Sequence, residues 1–300
     1  MELRYLHAFL AVAEELHFGR AALRLCIAQP ALSRQIQQLE RELGVPLFER
    51  EHHRVSMTQA GRVFLEEVRP ALAQLDRAAR AAQEVGQGQR GQLKVGFTAS
   101  TMYSLLPQII RVFQERYPQA EVTFTEVYSG KQSEQLHAKS IDVGFALFAE
   151  NEETLCVETL WKEPLIAVLP RNHPLAAHPD LSLSALSGEP FVLFPRLLGP
   201  RLYDRILHFC RQAGFQPRIA QEAAPQRTII TLVGAGAGVS LVPASLQEVQ
   251  DHGVVYRPLL PPIPAIEFAV VWRQDDASPL LHNFLNVARE AAQKAKQADG

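Results

Sequence analysis

Residues 29–36 read Gln29-Pro30-Ala31-Leu32-Ser33-Arg34-Gln35-Ile36, and they open a helix whose apolar side is one narrow stripe. At about 100° per residue, Leu32, Ile36, Leu39 and Leu43 lie within a few tens of degrees of one another. The opposite side carries Pro30, Ser33, Arg34, Gln37, Gln38 and Arg41, with no carboxylate among them. Arg and Gln present donors that match base edges in a major groove, and a Ser hydroxyl suits a phosphate. A shorter helical stretch, Gly19 to Leu25, comes just before it across a tight break at Cys26-Ile27-Ala28. That is the outline of a helix-turn-helix, and it points to DNA.

The flanking segments complete a small domain. Leu3 to Leu16 is an amphipathic helix with Leu3, Leu6, Leu10 and Ala13 on one side, placed to pack behind the pair. Gly44 is a C-cap and Pro46 a stop. Leu47 to Met57 reads as a short hairpin around the polar tip Glu51-His52-His53, the wing of a winged helix. Arg50 and Arg54 flank that tip.

Thr58 can N-cap a long helix over 59–87, about 43 Å at 1.5 Å per residue. Phe64, Val68, Ala71, Leu75, Ala78, Ala82 and Val85 follow a 4-3 spacing for three heptads, the pattern of a two-helix seam. Pro70 removes the bond to the Glu66 carbonyl and is expected to kink the helix. Packing on its own domain is the alternative use of this face. A dimer contact is favoured, since little nearby sequence could cover so long a seam.

Gly86-Gln87-Gly88-Gln89-Arg90-Gly91 reads as a linker. Beyond it, strands and helices alternate. Strands are expected at Leu93–Phe97, Glu121–Val127, Ile141–Phe148, Leu165–Leu169, Phe191–Phe194, Val239–Val242 and Phe268–Trp272. Helices are expected at Leu105–Tyr117, Lys131–Lys139, Leu202–Ala213, Gln226–Val233 and Pro279–Ala295. Alternation of this kind predicts parallel sheets in two α/β lobes with a ligand crevice between them.

Bulk properties bound the reading. The 300 residues suggest about two domains, and the formal net charge is only −2. Residues 1–90 hold 12 arginines against 11 acids, so a nucleic-acid surface must come from local placement of charge. The start shows no signal peptide and no segment approaches about 18 unbroken apolar residues, so a cytoplasmic protein with no membrane partner is expected. Cys26, Cys156 and Cys210 lack the spacing of a zinc site or a redox pair, and ordinary packing is expected of Cys156 and Cys210. No cofactor and no metal are expected.

Several stretches now carry a family resemblance. They are Phe9-Leu10-Ala11-Val12-Ala13-Glu14, Ala21-Ala22-Leu23-Arg24-Leu25, residues 29–36 and Leu39-Glu40-Arg41-Glu42-Leu43-Gly44. Leu47-Phe48-Glu49-Arg50, Thr58-Gln59-Ala60-Gly61, Ile141-Asp142-Val143-Gly144, His173-Pro174-Leu175 and residues 236–243 continue the series in order. The whole chain resembles the LysR-type transcriptional regulators. Ser240-Leu241-Val242-Pro243-Ala244-Ser245 is similar to the branch that senses benzoate-, muconate- or chlorocatechol-type compounds.

The resemblance implies an α/β protein overall. An all-α winged helix-turn-helix (1–58) and a linker helix for dimerisation (59–87) would precede a two-lobed, periplasmic-binding-protein-like effector domain (91–300). Lobe I would comprise about 91–162 and 266–300, and lobe II about 163–265. Implied partners are double-stranded promoter DNA, a small organic acid or aromatic effector, a second copy of the chain with a tetramer beyond it, and RNA polymerase. Carried onto this chain, Gln29, Pro30, Ser33, Arg34 and Gln37 would face DNA, with Arg50 and Arg54 near phosphates. Phe64, Val68, Ala71, Leu75, Ala78 and Ala82 would form the dimer seam. Ala28 departs from the family, which often has Ser or Thr there as an N-cap, a loss of about 1 kcal/mol.

Effector candidates sit in two strand–loop–helix turns, Ser100-Thr101 and Ser129-Gly130, whose helix N-termini would suit an anion from opposite sides. Plain helix capping is the bland alternative. Leu147 stands where some close relatives place an arginine, which points away from dianions and toward a monoacid or more apolar ligand. Pro195, Arg196 and Tyr203 are candidates in the second lobe. The glycines of 234–238 follow a helix and precede a strand, the reverse of a dinucleotide fingerprint, so a tight turn is expected there. A solute-binding protein without regulatory output lacks a use for the N-terminal reading head. A serine hydrolase built on Ser100 or Ser129 lacks the G-x-S-x-G elbow and an assignable His.

Overall fold

The computed structural model describes residues 1–51, 54–149 and 152–298, and the chain divides into two compact units, Met1–Gln83 and Glu84–Gly300. The first unit holds α1 (Leu3–Glu15), α2 (Phe18–Arg24), α3 (Gln29–Leu43), the hairpin β1 (Phe48–Glu51) and β2 (Arg54–Met57), and most of α4 (Gln59–Gly86). Leu32, Ile36 and Leu39 of the predicted stripe are wholly buried, against Phe9 and Val12 of α1. Phe9 meets Phe48 at 5.4 Å and Phe64 at 5.0 Å between ring centroids, which ties α1, the wing and α4 to one core. Without a side-chain cap at Ala28, this burial holds the start of α3.

Two contacts set the wing. Glu40 Oε1 accepts the backbone N–H groups of Leu47 (2.8 Å) and Phe48 (3.2 Å), and Thr58 Oγ1 accepts that of Gly61 (2.9 Å) as the expected N-cap. Gly61 is indispensable because a Cβ there would lie 2.2 Å from the Leu47 carbonyl oxygen. Gly61→Ala is therefore expected to destabilise the unit by about 1–3 kcal/mol through overpacking, read as a lower urea midpoint. An unchanged midpoint would mean that this close approach is absent in solution.

Helix α4 runs unbroken across Pro70, with Val68 and Leu72 on either side buried in the first unit's core. The predicted seam is thus divided. Phe64 and Val68 pack on their own domain, whereas Ala71, Leu75, Ala78, Ala82 and Val85 are exposed. The glycine-rich stretch after α4 is shorter than a flexible linker. Asn283 Nδ2 donates to the carbonyls of Gln87 (3.0 Å) and Gly88 (3.1 Å), and β3 begins at Arg90.

In the second unit, β3 (Arg90–Phe97), α5 (Leu106–Arg116), β4 (Gln119–Glu126), α6 (Ser129–His137) and β5 (Val143–Leu147) form the expected crossovers, with β3 parallel to both β4 and β5. A long strand, β6 (Leu155–Pro170), leads into the second lobe. That lobe contains β7 (Pro190–Leu193), α7 (Pro200–Gln212), β8 (Arg218–Glu222), α8 (Gln226–Gly234), β9 (Ser240–Pro243) and β10 (Val254–Pro258), before β11 (Ala265–Arg273) and α9 (Pro279–Ala298) return.

The all-parallel expectation fails here. β11 pairs antiparallel with β5 and β6, β6 pairs antiparallel with β10 and β9, and one sheet runs β10-β6-β11-β5-β3-β4. The reason is that β6 and β11 cross between lobes as a pair instead of closing βαβ units. The first half of β6, with exposed and buried positions mixed, carries too weak a pattern to be read beforehand. β8 and β10 carry equally weak patterns, since their side chains are mostly exposed or half-buried. Lobe I is cored by Val95, Val143, Phe145, Phe113, Phe268 and Phe284, and lobe II by Ile166, Val168, Val192, Ile230, Val233 and Val242. The 234–238 glycines do form a turn into β9; Gly238 has φ 147°, and a Cβ there would meet the Pro190 carbonyl oxygen at 2.2 Å.

Candidate functional site

Two surfaces carry the chemistry, one in each unit. On α3, Gln29, Pro30, Arg34 and Gln37 are exposed and Ser33 is half-buried. Arg34 Nε donates to the Pro30 carbonyl at 3.4 Å, a local contact that does not use the two terminal nitrogens of this exposed side chain. Arg41 is more committed, bonding Gln38 Oε1 at 2.7 Å and the Gln37 carbonyl at 3.3 Å. Glu42 is occupied too: its carboxyl is held below the usual carboxylate range by the Gln38 amide and then by the chain's amino terminus, 2.9 Å away. Arg20 and Arg24 of α2 are paired with Glu15 and Glu14. Arg34 is therefore the α3 cation best placed to reach an external partner. Arg50 and Arg54 lie on the wing strands, but their side chains, like residues His52 and His53, fall outside the described part.

In the second unit a slot of about 360 Å³, including its mouth, opens between the lobes. Lobe I contributes Thr98, Ala99, Ser100, Tyr128, Ser129 and Leu147; lobe II contributes Phe194, Gly199, Leu202, Pro225 and Gln226. Ser129 is the first residue of α6, and its Oγ accepts the Leu147 N–H at 3.3 Å. Ser100 Oγ and Thr98 Oγ1 lie 3.2 Å apart on a 3₁₀ turn that continues β3. None of the lining residues is charged. What favours an anion is the hydroxyls and the positive dipole ends of two helices, α6 in lobe I and α8 in lobe II.

The lobes also touch directly. The rings of Tyr128 and Phe194 meet edge-on at 5.8 Å, and the Gly130 N–H donates to the Leu198 carbonyl at 3.1 Å. Deeper in, Glu163 on β6 accepts from the Ser104 hydroxyl and from Trp161 Nε1 at 3.1 Å. Its other oxygen accepts the Ser245 backbone N–H at 3.2 Å, which links the turn after β3 to the turn after β9.

Residues 3–62 match the family described as "Bacterial regulatory helix-turn-helix protein, lysR family", and residues 86–293 match "LysR substrate binding domain". The chain belongs to the LysR family. It is 37% identical to the HTH-type transcriptional regulator AlsR of Bacillus subtilis, across 100% of this chain and 99% of that protein. Among solved structures it is similar to CbnR, a LysR family transcriptional regulator, with a TM-score of 0.88, 31% identity and coverage of 96% of this chain and 100% of that one. The full-length CbnR complex with target DNA matches at a TM-score of 0.82, with 30% identity and 97% and 100% coverage. The BenM effector-binding domain with its effector benzoate matches at 0.62, with 26% identity, covering 68% of this chain and 93% of that domain. The protein is a LysR-type DNA-binding regulator with an effector-binding domain.

In this LysR regulator, Ser100, Ser129 and Leu147 line the slot as the sequence led one to expect, but four candidates do not. Thr101 is wholly buried and its hydroxyl donates to the Thr98 carbonyl at 2.7 Å, a local bond within the turn that is neither a ligand contact nor a helix cap. Tyr203 is half-buried away from the slot; burial and the Glu222 carboxylate push its phenol up from its ordinary value. Pro195 sits in the turn before α7, where its carbonyl accepts from Leu198 and Gly199, and Arg196 is locked bidentate to Asp204 at 2.9 Å. The helix following Ser100 begins only at Leu106, so the second N-terminus at the slot is that of α8.

Tyr128, Phe194, Pro225 and Gln226 were missed. The usable signal was the predicted start of a helix at Gln226, which placed its first turn at the end of a loop. Cys210 is buried, which pushes its thiol up to about 12, and it remains an ordinary core residue.

Proposed function

We propose that this regulator binds promoter DNA as a dimer through Gln29, Pro30, Ser33, Arg34 and Gln37 of α3. Arg50 and Arg54 of the wing contact phosphates. The exposed part of α4, Ala71, Leu75, Ala78 and Ala82, is the helix-to-helix seam. The effector is a small monocarboxylic acid held between the lobes, and the observation that carries this is the slot itself: two serine hydroxyls and two helix N-termini meet there with no cation present. A single negative charge is within reach of such dipoles, whereas a second one has no partner, with Leu147 lining the wall. The uncharged, mainly apolar lining with a few convergent hydroxyls matches the chemistry of small-molecule sites. Benzoate in the similar BenM domain is an effector of that type.

The division into residues 1–58, 59–87 and 91–300, with lobe boundaries near 163 and 265, follows these roles. The protein acts by binding and not by catalysis: the slot lining includes neither a His nor a carboxylate to activate Ser100 or Ser129. No helix among the described residues is long and apolar enough to cross a membrane, and a regulator that must reach the chromosome works in the cytoplasm. An acid that contacts both lobes favours the closed state by its differential affinity, and so biases the promoter-bound assembly.

Ser129→Ala tests this reading. It removes one hydroxyl from the α6 end, and is expected to weaken acid binding by about tenfold, the share of one hydrogen bond to a charged group. Isothermal titration of the full-length chain with benzoate, alongside a circular-dichroism melt to verify folding, measures it. Equal affinity in wild type and variant would remove Ser129 from the site.

A further inference from the structure

Gln226 opens α8 at the slot. Its residue is only 6% exposed, yet its side-chain oxygen has no hydrogen-bond partner in the protein. A buried amide oxygen left unpaired is costly, and native proteins seldom keep one without a use. Two other buried side-chain atoms share this state among the described residues, Gln132 Oε1 and Ser245 Oγ, but neither residue lines the slot. Gln226 does, and it does so from lobe II, opposite the serines of lobe I.

We infer that the slot selects an aromatic monocarboxylic acid bearing a ring hydroxyl remote from its carboxylate, with that hydroxyl donating to Gln226 Oε1. The inference rests on the small-acid reading of the slot and names the finer class. Each end of such a ligand meets its complement. The carboxylate accepts from the hydroxyls of Ser100 and of Ser129, the first residue of α6, and the ring lies against the apolar side chains that line the slot, Leu147 and the touching pair Tyr128 and Phe194 among them.

The hydroxyl is what distinguishes this ligand from a simple acid. A carboxylate offers only acceptors and leaves the Gln226 oxygen unpaired, whereas a phenol supplies the missing donor. A site built to bond a hydroxyl rejects the analogue lacking it, because its own buried polar group then stays unsatisfied. A hydroxyl next to the carboxylate would stay on the lobe I side and turn inward on its own acid group. One in the meta or para position reaches the other lobe. The same bond makes ligand recognition depend on lobe closure, since its two partners belong to different lobes.

The test is isothermal titration of the full-length protein with benzoate, 2-hydroxybenzoate, 3-hydroxybenzoate and 4-hydroxybenzoate. The 3- or 4-hydroxy acid is expected to bind at least tenfold more tightly than benzoate and the 2-hydroxy acid. Gln226→Leu is expected to bring that preference to about one. Gln226→Met, which keeps the length of the side chain without its polar end, serves as a second variant and should do the same. Because the preference is a ratio measured within one protein, a general loss of stability does not imitate it. Equal binding of benzoate and the hydroxy acids to wild type overturns the inference and leaves the small-acid reading standing. So does a preference that survives both substitutions. If none of the four acids binds, the small-acid reading falls and the inference falls with it.

Discussion

Replacing Leu75 and Ala82 together with aspartate is expected to halve the solution mass of the protein and to lower its affinity for a two-half-site promoter by roughly two to four powers of ten. The argument starts from exposure. Leu75 is 49% and Val85 54% exposed, and every residue from 73 to 80 is exposed. An isolated helix with an apolar stripe open to water is an interface waiting for its other half. Leu75 and Ala82 stand one heptad apart, so both fall on the same line of the seam. The alanines at 71, 78 and 82 allow close approach of a second helix. An aspartate in that contact is a carboxylate buried without a partner, a cost of several kcal/mol per site, and two-fold symmetry applies it twice.

Once the dimer is lost, the second reading head is no longer tethered near its half-site at an effective concentration in the millimolar range. Light scattering measures the mass and fluorescence anisotropy on promoter DNA the affinity. Ala73→Asp, on the far side of α4, is the control and should remain dimeric. An unchanged mass in the double variant would defeat the seam.

Legibility from sequence followed the strength of the local pattern. The reading head was fully legible, because Leu32, Ile36 and Leu39 repeat with the helical period and are all wholly buried. Boundaries were legible where a cap acts, as at Thr58 with its bond to Gly61 and at Gly44, which closes α3 with φ 72°. The heptad of α4 was legible as a period but not as a division of labour. Val68 and Leu72 turn to the first unit's core, and only the structure separates them from the exposed Ala71 and Leu75.

In the second unit, the parallel half was legible and the paired return strands were not, since β6 carries no single alternation along its length. The slot was half-legible for a related reason. Ser100 and Ser129 announce themselves as hydroxyls at element ends. The lobe II residues come from separate elements between 194 and 226, including the first turns of α7 and α8, and nothing local in the sequence says that Phe194, Leu202 and Gln226 face one space. Glu40 was read only as a family match, although its two bonds to the backbone of Leu47 and Phe48 position the wing.

Arg34→Ala is expected to lower specific promoter binding by about 2–6 kcal/mol in the dimer, because a bidentate contact to a base is worth about 1–3 kcal/mol and each dimer makes two. The neighbouring charges explain why this residue, and not another arginine of the reading head, should dominate. Arg20 and Arg24 already hold carboxylates, and Arg41 is engaged with Gln38 and the Gln37 carbonyl. Arg34, exposed on the second turn of α3, gives only its Nε to the Pro30 carbonyl at 3.4 Å, which leaves the edge formed by its two terminal nitrogens for an external partner. That edge matches the paired acceptors of guanine in a major groove. Arg34→Lys should recover little of the loss, since an ammonium is a point charge without the planar fork.

Two titrations by fluorescence anisotropy separate base from phosphate. A base contact predicts a large loss on promoter DNA, a small loss on scrambled DNA of equal length, and an unchanged slope of affinity against salt. Equal losses on both DNAs, with the salt slope reduced by about one per contact, would make Arg34 a phosphate anchor. Sequence choice would then fall to Gln29, Pro30 and Gln37 on the same exposed face.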